Sequence, residues 1–262
     1  MTSDAQEDKV VELCRYDSRA RNLLARPREV REDLCVGGAT SVELIFRSPY
    51  LYYEQCIRNL VRSGHEVLEL GAGTGFHSRV LLSTGARVTV TDLSPNALRA
   101  LEQNVREYGG ERLRTHIADI EALPFGDASF DVVACAGSLS YGDPVAVDAG
   151  VQRVLRPGGA FICVDSLNHN PIYRLNRWMH YLRGDRTRST LVRMPTVERV
   201  QSIVGHFEAA DVCYFGAVSY AMPILARMVG PERASSISDT CDRLLNARRS
   251  AFKFVLAARG RQ

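Results

Sequence analysis

From residue 65 onward, short apolar runs bounded by turn residues alternate with stretches whose apolar residues recur at helical spacing. The runs predict strands at 65–70 (HEVLEL), 86–92 (ARVTVTD), 113–119 (LRTHIAD), 130–136 (FDVVACA) and 158–165 (GGAFICVD). Between the second and third, Ser94 reads as an N-cap, Pro95 as the first helical position, and Leu98, Leu101 and Val105 as one apolar face before a glycine stop. Later runs near 207–216 and 250–258 bring the strands to seven. This alternation predicts an α/β fold, a doubly wound and mostly parallel seven-stranded sheet with right-handed crossovers.

Two segments fall outside the alternation. Residues 1–60 have helical character and read as an N-terminal cap, and a helical insertion at about 166–205 interrupts the main domain, 61–262. Neither has a core of its own. In the insertion, PIYRLNRWMHYLR places Ile172, Leu175, Met179 and Leu182 at helical spacing, an apolar face expected against the domain together with Trp178. Tyr173, Arg177 and His180 share another face.

Composition narrows the class. With 262 residues, 45% hydrophobic and 24% charged, the chain can bury one sizeable core, which excludes a disordered chain. The net charge of +3 rests almost wholly on arginine, Lys9 and Lys253 being the only lysines. Those arginines are interleaved with acids, so no nucleic-acid partner is expected. Leu167 to Pro195 departs from this mixture with six Arg against one Asp. That stretch reads either as a solvated face or as a cap for an anionic substrate. The acidic N-terminus lacks the pattern of a signal peptide, and no apolar run suffices for a membrane span. Seven dispersed cysteines (14, 35, 56, 135, 163, 213 and 241) show no metal-binding spacing; reduced core thiols and a cytoplasmic location are expected, with no metal.

The candidate chemistry begins at VLELGAGTG, residues 67–75, where three glycines follow a strand. Glycine lets backbone approach a ligand closely, and the next helix offers free N–H groups. A tight turn alone would explain the loop, and Phe76 stands where the dinucleotide pattern GxGxxG needs its last glycine. The neighbouring strand ends add to the signal. Asp92 ends the second strand, where a carboxylate can accept from a ribose diol, and Asp119 ends the third, where it can accept from an exocyclic amine beside Ile120. Each aspartate alone reads equally as a cap.

Taken together, VLELGAGTG, VTVTDLS, IADIEALPF, FDVVACAGSLSY and VLRPGGAFICVD resemble the successive motifs of the class I S-adenosylmethionine-dependent methyltransferases, over about residues 60–165. The resemblance implies a Rossmann-like methyltransferase fold and S-adenosylmethionine as cofactor. It implies Glu69, Gly71, Ala72, Gly73 and Gly75 along the methionyl and ribose portion, Asp92 and Leu93 at the ribose, Asp119 and Ile120 at the adenine, and Ala136 and Gly137 at the amino group.

Methyl transfer from a sulfonium is an in-line displacement, and a hydroxyl acceptor also needs a base. His169, just past the fifth strand, is the candidate base, with a hydrogen bond to backbone or substrate as the competing role. Tyr141 and Asp143 are candidates to position the acceptor, although Asp143 before Pro144 also reads as a helix cap. His77, directly after the glycine loop, could touch the cofactor, but reads more readily as a surface residue on the first helix of the domain. Tyr173, Arg174, Arg177 and His180 are the candidate substrate cap. The string VDSLNHNPIYRLNRWMHYLRGDRT is similar to methyltransferases encoded among genes for bacterial surface glycans or decorated small molecules, which implies a sugar hydroxyl or other small-molecule acceptor, anionic if its carrier bears phosphate. N-methylation and a non-catalytic cofactor-binding partner are the alternatives. Nothing in the sequence indicates an oligomeric state.

Overall fold

The computed structural model describes residues 3–25, 47–184, 186–218, 220–245 and 248–262. Its centre is a sheet of seven strands: β1 (Glu66–Leu70), β2 (Arg87–Asp92), β3 (Leu113–Ile117), β4 (Phe130–Ala136), β5 (Leu155–Ser166), β6 (Phe207–Phe215) and β7 (Lys253–Arg261). The order is β3-β2-β1-β4-β5-β7-β6, with β7 antiparallel to both of its neighbours and the other pairings parallel. All seven predicted strands are present. β5 starts three residues earlier than its apolar run, and β7 runs to Arg261, three residues beyond its own.

The chain enters at the middle of the sheet, winds outward through β2 and β3, and returns to the other side of β1 with β4. A crevice opens where the winding reverses, at the carboxyl ends of β1 and β4, and ligands of open α/β sheets bind there. Alternation along the strands divides the core between two faces. Val67, Val132 and Ile162 pack beneath the helices α2 (Ser48–Leu60), α3 (Ser78–Ser83) and α4 (Pro95–Gly109). Leu68, Val133 and Phe161 pack on the opposite face with α5 (Pro144–Val154) and α8 (Val197–Val204). Ser94 caps α4 as its sequence predicts, its Oγ accepting from the Ala97 N–H at 3.0 Å.

Part of the predicted N-terminal cap, residues 26–46, lies outside the described residues, as does Cys35. The remainder forms α1 (Ser3–Leu24) and α2. Two carboxylates pin α1 across the crevice. Asp17 accepts from Ser94 Oγ and Asn96 Nδ2, both at 2.8 Å. Glu12, buried, accepts from the backbone and hydroxyl of Thr187 at 3.1 and 2.9 Å. One helix thereby ties the cofactor side of the sheet to the insertion.

The insertion holds α6 (Pro171–Leu182), α7 (Arg188–Val192) and α8, while α9 (Met222–Val229) and α10 (Pro231–Leu245) connect β6 to β7. The orientation of α6 corrects the sequence expectation. Tyr173 and Arg177 face the protein and are buried, whereas Ile172, Leu175, Trp178, Met179 and Leu182 are exposed. Cys135 and Cys163 are core thiols, but Cys14 is exposed.

Candidate functional site

The crevice widens into a cavity of about 750 Å³. Its floor comes from the carboxyl ends of four strands and the residues that follow: Glu69 and Gly71–Gly73 at β1, Asp92 and Leu93 at β2, Ala118–Ile120 at β3, and Ala136–Ser138 at β4. Its roof comes from α1 (Lys9, Leu13, Tyr16), α2 (Tyr50, Leu51, Glu54) and α7 (Thr190), with Arg193 just beyond. Ten of the eleven residues assigned to the cofactor line it. Gly75 is the exception: a Cβ there would lie 2.8 Å from Leu101 Cγ, so this glycine admits α4 against the loop.

The other two loop glycines have separate reasons. Gly71 has φ +60°, and a Cβ would lie 2.6 Å from Ser138 Cβ, because the β1 and β4 loops cross closely there. Gly73 has φ +55° and only open space where a side chain would stand. Its N–H donates to Asp92 Oδ2 at 2.9 Å, while Oδ1 of the same carboxylate accepts from the Ser94 N–H at 2.8 Å. Asp92 therefore holds the glycine loop in shape while lining the cavity.

Electrostatics make this floor receptive to a cation. Glu69 is 2% exposed and accepts from Ser78 Oγ at 2.5 Å. Burial, with Asp92 nearby, pushes its carboxyl up from 4.5 to about 7, the Ser78 bond opposing the shift. Burial likewise raises Asp92. On the linkage, the folded chain keeps a proton on Glu69 between about pH 4.5 and 7 that the unfolded chain has lost. Stability should therefore fall across that window and level off above it, by about 3 kcal/mol in all. Cofactor affinity should rise over the same window as the carboxylate forms. Thermal melts and calorimetry from pH 5 to 8 check both, and Glu69→Gln should flatten both curves.

At the third strand end, Asp119 and Glu121 both bind Lys9 of α1, the latter at 2.8 Å, and Glu121 also pairs with Arg193 at 3.2 Å. Lys9 is thus a clasp joining α1 to the strand end expected at an adenine amine. Tyr141 lines the cavity, its hydroxyl bonded to that of Tyr16 and their rings edge to face at 5.5 Å. Burial raises its phenol well above the ordinary value, which keeps it a neutral hydroxyl.

His77 corrects the surface reading. It lines the cavity, is 7% exposed, and sits among Tyr50, Tyr53 and Phe76 at ring separations of 5.5, 5.1 and 4.7 Å. Its Nδ1 lies 3.5 Å from Glu54 Oε1. Burial lowers the imidazole below its ordinary value, against the opposing pull of Glu54, so His77 is neutral at physiological pH and can accept a proton. Glu54 is held below the ordinary carboxylate value by the same pairing. The signal for this group is the spacing of Tyr50, Tyr53 and Glu54, one face of α2 at i, i+3 and i+4.

The remaining candidates lie elsewhere. His169 does not line the cavity: its Nε2 accepts the Val197 N–H at 2.8 Å, satisfying the first turn of α8, with Glu198 at 3.3 Å. That lone pair is committed to a backbone amide, so His169 is a capping residue rather than the base. Asp143 caps α5, accepting from the Val145 and Ala146 amides at 3.1 Å. Tyr173, Arg174, Arg177 and His180 are all absent from the lining. Arg177 donates to the Leu167 carbonyl at 2.6 Å and lies over Phe252, while Tyr173 packs on the same ring at 4.6 Å. These two fasten α6 to the domain, and Arg174 is exposed.

Comparison with known proteins adds to this geometry. Residues 68–163 match the family described as Methyltransferase domain. Demethylmenaquinone methyltransferase of Tropheryma whipplei is 36% identical over 122 residues, 44% of this chain and 49% of that protein. The ubiquinone/menaquinone biosynthesis C-methyltransferase UbiE of Hahella chejuensis is 34% identical over 118 residues, 43% of this chain and 47% of that protein. The chain thus spans about half the length of the curated relatives it matches. Among solved structures, Haemonchus contortus phosphoethanolamine N-methyltransferase 2 in complex with S-adenosyl-L-methionine superposes with a TM-score of 0.60 at 16% identity, covering 88% of this chain and 60% of that one. That likeness concerns the fold. Residues 68–163 thus match a methyltransferase domain, and the order of the sheet agrees with the Rossmann-like methyltransferase fold that the sequence motifs resemble.

Proposed function

We propose that this chain transfers a methyl group from S-adenosylmethionine to a small, largely apolar ring-bearing acceptor, with His77 receiving the acceptor's proton. One observation carries the reading: four strand ends bearing the expected cofactor groups converge on a single cavity whose opposite wall is aromatic and contains a buried imidazole.

The cavity fits the cofactor chemically. The open backbone at Gly73 leaves room for close approach, Asp92 retains lone pairs toward a ribose diol, Ile120 offers an apolar flank, and the Glu69 and Asp92 carboxylates favour a cation. When bound, S-adenosylmethionine supplies a methyl group already activated by its positive sulfur. The chain then has three tasks. It holds the acceptor in line with the methyl carbon, it excludes water with Leu13, Tyr16, Tyr50 and Leu51, and it takes up the proton released as the new bond forms. His77 suits the last task because Glu54 can stabilise the imidazolium that results.

The aromatic wall of Tyr16, Tyr50, Phe76 and Tyr141 favours a ring acceptor over a sugar. The names of the two quinone-pathway relatives support the same preference. Methylation at a ring hydroxyl or at the adjacent ring carbon both deliver one proton to the base. The test incubates the protein and methyl-labelled cofactor with dihydroxybenzenes, hydroquinones, sugar nucleotides and amines. Label should enter the hydroxylated aromatics; label confined to sugar nucleotides would restore the glycan reading, and label confined to amines would establish N-methylation.

A further inference from the structure

Helix α6 is amphipathic in the inverted sense. Its inward residues, Tyr173 and Arg177, carry polar atoms bonded to the backbone of the domain. Its outward residues are apolar: Leu182 is 62% exposed, Leu175 57%, Trp178 52% and Ile172 49%. At 3.6 residues per turn these four and Met179 span an arc of roughly 120°, opposite the buried face. Exposed Arg174 and Arg183 flank the arc on its two sides. From Leu167 to Gly184 the chain has no carboxylate. None of these residues lines the cavity, so the methyl-transfer site does not account for them.

An apolar strip with a central tryptophan and flanking arginines is suited to the boundary between acyl chains and anionic headgroups. Ring and aliphatic groups enter the apolar layer while the guanidinium groups reach phosphate. We propose that α6 docks the protein peripherally on an anionic lipid surface, lying flat with Ile172, Leu175, Trp178, Met179 and Leu182 inserted. Charge favours this occupant over a second copy of the chain. Pairing two such helices would bring arginine flanks together with no carboxylate from the same stretch to compensate. No helix among the described residues is long and apolar enough to cross a membrane.

Trp178 is the only tryptophan of the chain, which makes intrinsic fluorescence a direct reporter. The experiment adds the full chain to vesicles of phosphatidylcholine alone or mixed with phosphatidylglycerol, and measures emission and co-sedimentation. Expected is a blue shift with the mixed vesicles and affinity at least about tenfold weaker at high salt or on phosphatidylcholine alone. Leu175→Ser with Leu182→Ser should abolish the shift, and Arg174→Glu with Arg183→Glu should remove the preference for anionic lipid, both with melting temperatures near wild type. Absence of a shift with either vesicle, or binding that survives both double variants, would overturn the proposal. So would a shift that appears without lipid and tracks a dimer in light scattering, which would make this face a self-interface.

Discussion

Replacing His77 with alanine should lower kcat by about 10² to 10⁴ while leaving the cofactor dissociation constant within a few-fold of wild type. The imidazole lines the cavity, is nearly free of solvent, and faces Glu54 across 3.5 Å, so it is the one histidine placed to receive a proton there. Its lowered pKa sets the sign of the pH dependence. Activity needs the neutral ring, so kcat/KM should fall only below the usual histidine range, and this acidic limb should vanish in the variant. Glu54→Gln should give a smaller loss, because it removes stabilisation of the imidazolium but leaves the base. His169→Ala is the control: its Nε2 serves the Val197 amide, so kcat should stay near wild type while the melting temperature drops. A loss under tenfold for His77→Ala with an unaltered pH profile would leave the reaction to orientation alone.

The contrast between these two histidines shows which information was local. The glycine loop and Asp92 follow directly from β1 and β2, since a parallel strand buried on both faces announces itself and its carboxyl end, whereas Asp119 follows a largely exposed edge strand and is marked by its place in the alternation of strands and helices. Position in the chain then implies position in the crevice. His169 obeyed the same rule and failed it, because a capping requirement of α8, 28 residues away, claimed its ring nitrogen. His77 was hidden for the converse reason: what buries it is α2, an element ahead of the sheet whose aromatic face has no local marker of its partner. Helical spacing in α6 correctly gave two faces. It could not say which one meets the domain, since Arg177 and Tyr173 find backbone and ring partners that sequence does not display.

Asp92→Ala should weaken S-adenosylmethionine binding by about 1.5 to 3 kcal/mol through the loss of charge-assisted bonds to the ribose. The geometry argues for the upper part of that range. The same carboxylate accepts from the Gly73 and Ser94 amides, so its removal also frees the turn that shapes the floor at Gly73, where φ is +55°. The cofactor would then have to order a loop that the wild-type protein holds ready, and preorganisation is part of affinity. Asp92→Asn separates the two effects. Its amide oxygen can still accept from Gly73 or Ser94, while the negative charge that favours a sulfonium nucleoside is gone, so the loss should be intermediate. Calorimetry of both variants, with binding of S-adenosylhomocysteine measured alongside, tests the assignment. The uncharged sulfur of that ligand should narrow the gap between Asp92→Asn and wild type and leave Asp92→Ala weak. Wild-type affinity for both ligands in Asp92→Ala would mean that the carboxylate only braces the loop and that the nucleoside is held from elsewhere in the cavity.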